Sequence, residues 1–284
     1  MPALPLLPDL SFTDRLDAAA LLLLRGRVPA DALPLAQCCA ARARELAALA
    51  GAPDAAQAAW QCARAGLGAA ARGELPLDDA ARRLAGQLLM AARAEQPATR
   101  AGVAAPEHMS APLQRSLLRW LASAPWAASF KTPSAVSPAA ASAPQAASQA
   151  TSQATSQADF LQQVDERSLQ LVDQIDGWAA AGAVTHAARA VEAAHALAEG
   201  CAQAGLQPLA QWARALECGV LCAQALQTAA MPVHATDLQP LQVAASELRA
   251  LLHRYAAGMV RAPAPSVQDA LRRWVEEQIA ALPA

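Results

Sequence analysis

AAHALAEGCAQAGLQPLAQWARALE, residues 193–217, is the stretch that decides how this chain folds. Alanine, leucine, glutamine, glutamate and arginine are strong helix formers, and they fill both sides of Gly205–Pro208. A glycine with a proline soon after it stops one helix and starts another. The stretch therefore reads as two helices joined by a turn so short that they must lie antiparallel. Leu209, Ala213, Leu216, Val220 and Ala223 recur at i, i+4, i+7, i+11 and i+14, which makes one face for burial. Upstream, Val184, Ala187, Val191, Ala194, Ala198 and Cys201 form the matching stripe.

The same grammar extends in both directions. Of the 284 residues 55% are hydrophobic, mostly alanine, and only 4% are aromatic. No run alternates β-branched or aromatic residues with polar ones, as a half-buried strand would. Helices are predicted near 12–25, 34–50, 54–72, 78–95 and 111–123, and again near 160–179, 184–204, 207–228, 236–257 and 266–282. The breaks are Gly and Pro punctuation, including Gly73–Pro76 and Pro263–Pro265. Between the two sets lies KTPSAVSPAAASAPQAASQATSQATSQA (131–158), which has no large apolar residues except one valine. Such a composition cannot offset the entropy of ordering and predicts a disordered linker. The expected organisation is residues 1–130, a linker at 131–158, and residues 159–284. The expected fold class is all-α: two up-down antiparallel bundles, each of four helices plus an additional C-terminal helix.

The two halves align with each other at a separation of 154. Gly51 falls on Gly205, Gln57 on Gln211, Glu45 on Glu199, Arg119 on Arg273 and Trp120 on Trp274. PLQRSLLRWL (112–121) overlies SVQDALRRWV (266–275). The pairing of Trp120 with Trp274 suits packing anchors that close each bundle.

Composition also excludes functions. A net charge of −2 gives no general attraction to nucleic acid or to an anionic membrane. The apolar run Leu21–Leu24 is far too short to span a bilayer, and MPALPLLPDLSF lacks a basic leader segment, so no membrane insertion and a cytoplasmic location are expected. None of the six cysteines forms a Cys-x-x-Cys pair, and none has histidine at ligand spacing, so they read as small apolar fillers. His186 and His195 stand nine apart with no third ligand placed, so no metal and no cofactor are expected. A phosphate-binding loop, a dinucleotide fingerprint and a nucleophile elbow are all missing, and the chain does not read as an enzyme.

The pattern around 193–217 resembles the phosphorylated helix and its neighbour in histidine phosphotransfer (HPt) domains, above all those of CheA-type chemotaxis kinases and chemosensory regulators of the FimL type. That family carries His-x-x-Lys-Gly, a glycine ten residues after the histidine, and a glutamate on the next helix that orients the imidazole. His195 occupies the phosphoryl-acceptor position, Gly205 the later glycine and Glu217 the orienting glutamate. DFLQQVDERSLQLVDQI (159–175) is similar to the family's first helix. The resemblance implies a protein of two-component or chemosensory signalling, such as those controlling twitching motility. It implies as partner the receiver domain of a response regulator or a CheA-type histidine kinase.

The chemistry of such a pair stands on its own. An acceptor histidine needs one neutral ring nitrogen as nucleophile, which a carboxylate bonded to the other nitrogen enforces. Two departures from the family pattern bear on it. Ala198 stands where the family has lysine, and Glu199 where it has glycine. A glutamate at i+4 shares a face with His195 and repels an incoming phosphoryl group. In the first half the aligned acceptor position is Ala41 and the orienting position Ala63, so that half cannot carry the reaction there. The expected function is a docking adaptor or a weak phosphorelay through His195. The rival reading is an Ala-rich helical scaffold or granule coat of the phasin kind, which predicts apolar outer faces on long amphipathic helices.

Overall fold

The computed structural model describes residues 11–25, 28–48, 54–100, 111–123, 147–228, 235–259 and 261–281. Among them the protein is all-α, with no strand. The helices are α1 (Phe12–Arg25), α2 (Leu33–Ala48), α3 (Asp54–Ala71), α4 (Asp79–Arg100), α5 (Ala111–Ala122), α6 (Ala147–Ala181), α7 (Val184–Gln203), α8 (Gln207–Thr228), α9 (Gln239–Ala256) and α10 (Pro265–Ala281). Short 3₁₀ turns at Pro29–Ala32 and Ala235–Leu238 lead into α2 and α9. The chain divides into two compact units, one of residues 1–125 with 221–233 and 275–284, the other of residues 126–220 and 234–274.

Glycine and proline set the helix ends, as the sequence implied. Gly205 closes α7 at φ 76°, a conformation that costs a side-chain-bearing residue a steric clash. The next amide, Leu206 N–H, then reaches back to the Cys201 carbonyl at 2.8 Å, and Gln207 opens α8 at once. Gly73 does the same after α3, with Glu74 N–H on the Ala69 carbonyl at 2.9 Å.

One boundary departs from expectation. The segment 131–158 was expected to be disordered throughout, yet α6 begins at Ala147. The last proline before it is Pro144, and ASQATSQATSQA holds no helix breaker. Alanine and glutamine let a helix anchored further along propagate backwards through such a stretch. Residues 131–146 lie outside the described residues, as do His108, His234 and Trp126.

In the first five helices, α1 packs on α2 and α4, α3 on α2 and α5, and α4 on α5. Trp60 on α3 is fully buried, with the Phe12 ring set edge-on to it at 5.9 Å between centroids. Trp120 on α5 lies over Gly66, where a Cβ would come within 2.8 Å of the indole. In the second five, polar pairs give the helix directions. Asp165 meets His253 and Asp176 meets Gln242, both at 2.8 Å, so α6 and α9 run antiparallel. Arg167 donates to the Ala196 carbonyl at 3.3 Å and His186 meets Gln174 at 2.9 Å, so α6 and α7 also run antiparallel. Trp212 is buried and its indole N–H donates to the Ala244 carbonyl at 3.1 Å. Trp274 packs against Gly219 as Trp120 does against Gly66.

Burial repeats along the two sets of helices. Every buried position of α2 (Leu35, Ala36, Cys38, Cys39, Arg42, Ala43 and Leu46) has a buried counterpart in α7 exactly 155 residues on. Thr13, Leu16, Ala20 and Leu23 of α1 match Ser168, Leu171, Ile175 and Trp178 of α6 at the same separation. From α4 to α9 the separation becomes 160: Ala81, Leu84, Ala85, Leu88, Ala91 and Ala92 match Leu241, Ala244, Ala245, Leu248, Leu251 and Leu252. The added residues lie in α8, with 22 residues against 18 in α3, and in the longer connection into α9. The polar ties do not follow the same register: Arg93 bonds Asp17 at 2.8 Å, whereas His253, 160 residues on, bonds Asp165 and not Val172, the counterpart of Asp17.

Candidate functional site

α7 and α8 are adjacent antiparallel helices, and four polar side chains meet across them in two rungs. In the first, His195 Nδ1 lies 3.1 Å from Glu217 Oε1 and 3.4 Å from Oε2. In the second, one turn along each helix, Arg214 Nη2 lies 3.9 Å from Glu199 Oε1. The histidine side chain is 29% exposed and the Glu217 side chain 5%. The pairing that the resemblance implied is thus present: His195 sits at the edge of the α7 stripe beside buried Ala194, and Glu217 beside buried Leu216.

The geometry has a definite chemical consequence. A carboxylate at Nδ1 holds the proton on that nitrogen and fixes the ring, which leaves Nε2 neutral and nucleophilic. The carboxylate is buried beneath a part-exposed ring, which puts Glu217 inside and the imidazole at the surface.

The two motif departures fall differently. Ala198 is fully buried, so the cation that the family places at this position has no room on this helix face. Glu199 is 38% exposed and does share the His195 face, but its carboxylate meets Arg214, whose side chain is only 5% exposed. On the opposite edge of the same α7 face, Arg167 from α6 holds the Ala196 carbonyl and passes within 3.8 Å of where a Cβ on Gly200 would stand. Neither arginine was singled out from the sequence. Both come from flanking helices, and only the spacing Arg214–Glu217, three apart on one helix face, hinted at one of them.

In the first five helices the corresponding place holds no histidine and no acid. The burial register of 155 sets Ala40 rather than Ala41 opposite His195, a one-residue correction to the sequence alignment that leaves alanine there either way. Ala63 is fully buried. Nearly every position of α3 and α8 is buried, so burial leaves their register open, and the tryptophan-packed glycines Gly66 and Gly219 stand 153 apart. That separation would bring Arg64 to the place of Glu217. Arg42, also buried, lies over the Phe12 ring at 5.4 Å and reaches Glu45 at 3.3 Å.

All six cysteines are buried and none is in a disulfide. Burial pushes the Cys201 thiol up to about 11, with Arg214 pulling it back in part. Burial, with Cys38 alongside, holds Cys39 far above the ordinary thiol range. Among the described residues no group of three or more His, Cys, Asp or Glu could hold a metal ion, and no helix is long and apolar enough to cross a membrane.

No protein-family profile, no curated protein and no solved structure matches this chain.

Proposed function

We propose that this protein acts in two-component or chemosensory signalling, with His195 as phosphoryl acceptor on an HPt-like helix pair and a receiver domain or CheA-type kinase as partner. The observation that carries the reading is the His195–Glu217 contact at 3.1 Å, with the carboxylate buried and the ring part-exposed. In the step this allows, Nε2 attacks the phosphorus of an aspartyl phosphate, the N–P bond forms, and the P–O bond to the aspartate breaks. The Nδ1 proton stays with the ring in its bond to Glu217. The exposed Glu199 and the inward-facing Ala198 favour a slow relay, and a docking role in which the same face binds the partner without transfer is the second form of the reading.

A granule-coating scaffold is the alternative. It expects continuous apolar outer faces, whereas among the described residues no helix exposes more than two large apolar side chains; Leu21 and Leu24 share α1, and Met90, Leu169 and Val243 stand on three different helices.

The test is to mix the full chain with a phosphorylated receiver domain or an active CheA-type kinase. Acid-labile label that His195→Ala removes is the expected result. Binding without label would leave the docking form alone. Loss of both would sink the signalling reading.

A further inference from the structure

We infer that His186 is a second nucleophilic imidazole of this chain, placed to take a phosphoryl group from a small anionic donor whose leaving group is ammonia or a carboxylate. It stands in the first turn of α7, nine residues before His195, and so on the opposite side of that helix, against α6. Two residues of α6 hold its ring. Nδ1 lies 2.9 Å from Gln174 Oε1, and Gly177 leaves the space that the ring fills: a Cβ there would stand 2.8 Å from His186 Cε1 and 2.9 Å from Nδ1. An amide oxygen can only accept, so Nδ1 carries the proton and Nε2 keeps its lone pair. Nε2 has no hydrogen-bond partner among the described residues and retains exposure to solvent.

The charges along α7 favour this ring for an anionic donor. Within four residues of His195 on either side stand two acids, Glu192 and Glu199, and no cation. Within four residues of His186 there is no acid and one cation, Arg189, three residues on and so on the same face. Arg189 is exposed and in no ion pair among the described residues, which leaves its planar fork to meet phosphoryl oxygens. On the α6 side, Asp176 accepts from Gln242 of α9 at 2.8 Å, and Asp173 is exposed beside Gln174. His253, the third histidine among the described residues, is the natural contrast. Its side chain is 56% exposed, and its Nε2 is taken up by the Asp165 carboxylate at 2.8 Å. At His186, Nε2 attacks phosphorus, the N–P bond forms, and the donor's P–N or P–O bond breaks. The electron pair leaves with ammonia or the carboxylate, and the Nδ1 proton stays in its bond to Gln174.

The experiment uses the full chain carrying His195→Ala and the probe potassium phosphoramidate, which phosphorylates histidine without a protein partner. Acid-labile label is located on peptides kept alkaline and read by mass spectrometry. His186 is expected to label several-fold faster than His253, although His253 is the more exposed. A rate at His253 equal to or above that at His186 would mean that reactivity follows exposure alone, and would overturn the inference. Arg189→Gln should slow His186 several-fold and leave His253 unchanged; an unchanged rate at His186 overturns it too. The phosphorus spectrum of the labelled chain should show the group on Nε2 of His186, and Gln174→Leu, which frees Nδ1, should spread it over both nitrogens. Label on Nδ1 with Gln174 in place would contradict the orientation on which the site rests. Because His195 is absent from this chain, none of these outcomes bears on the reading of His195, and a failure there leaves His186 standing.

Discussion

Two helix pairs in this molecule, α2 with α3 and α7 with α8, are built on one burial pattern and hold opposite contents. In α7 and α8 the pair encloses an imidazole, two carboxylates and a guanidinium in contact across the helices. In α2 and α3 the place of His195 is alanine, and Arg42 of α2 lies over an aromatic ring of α1. Even that contact is rearranged between the copies. Phe12 and Arg42 of the first have Arg167 and Leu197 at the matching positions of the second, so the cation has moved from the second helix to the first. What this teaches is that the scaffold does not require a histidine and a glutamate at its centre. The chain builds the same helix pair without them, and a buried carboxylate is costly unless it is satisfied. A polar couple that packing does not demand points to chemistry.

The strongest way to break the comparison is at the fully buried tryptophan that each set carries on its third helix. Trp60 and Trp212 stand 152 apart, one residue off the 153 of Gly66 and Gly219. If the two copies rely equally on this anchor, Trp60→Ala and Trp212→Ala should each cost about 3–5 kcal/mol in denaturant unfolding. Trp212 should fall toward the upper end, since it also loses its bond to the Ala244 carbonyl. A loss below about 1 kcal/mol for either one would show that the copies are held together differently, despite their matching burial.

A second, smaller effect sharpens the contrast between the polar and alanine versions. His195→Ala alone removes the imidazole from a carboxylate that is 5% exposed, and should destabilise by about 1–2 kcal/mol, reduced from the fully buried case because the ring is part-exposed. The double variant His195→Ala/Glu217→Ala removes both members of the couple and sets alanine at the place of His195, as Ala40 does in the first set. It should recover to within about 1 kcal/mol of the natural chain, because the buried charge goes with its partner. If the double variant were instead less stable than the single, the pair would be a structural element and the argument for chemistry would lose its footing.

Much of this was legible in the residues. Helix bounds followed from Gly and Pro punctuation, and α8 at Gln207–Thr228 matches the expected 207–228 because Pro208 and the turn at Gly205 leave no other start. The His195–Glu217 pair was legible from the family pattern, and both residues stand at the edges of facing stripes. The same stripe argument puts Ala198 inside, so its burial was implicit even though a family pattern draws attention to it as a cation position. The start of α6 was not legible, since helix propagation from an anchored segment is not visible in the composition of 147–158 alone. Arg214 was not legible either. A long side chain rooted in a buried position can reach a residue of the neighbouring helix while staying buried itself, and periodicity records only where the stem begins.

The smallest effect tests whether the fourth helices are equivalent in detail. Gly86 sits inside α4, and a Cβ built there meets nothing within 4 Å. Its counterpart in the 160 register, Ser246 of α9, is exposed. Glycine within a helix gives up more chain entropy than alanine, so Gly86→Ala should stabilise by about 0.5–1 kcal/mol, seen as a rise in Tm. Ser246→Ala should gain less, since serine already lacks the freedom of glycine. The change at Gly66, by contrast, sets a methyl 2.8 Å from the Trp120 ring, and the predicted sign reverses. A fall in Tm for Gly86→Ala would mean that the open face of α4 is not open, and that the α4–α9 correspondence fails where the burial pattern says it should hold.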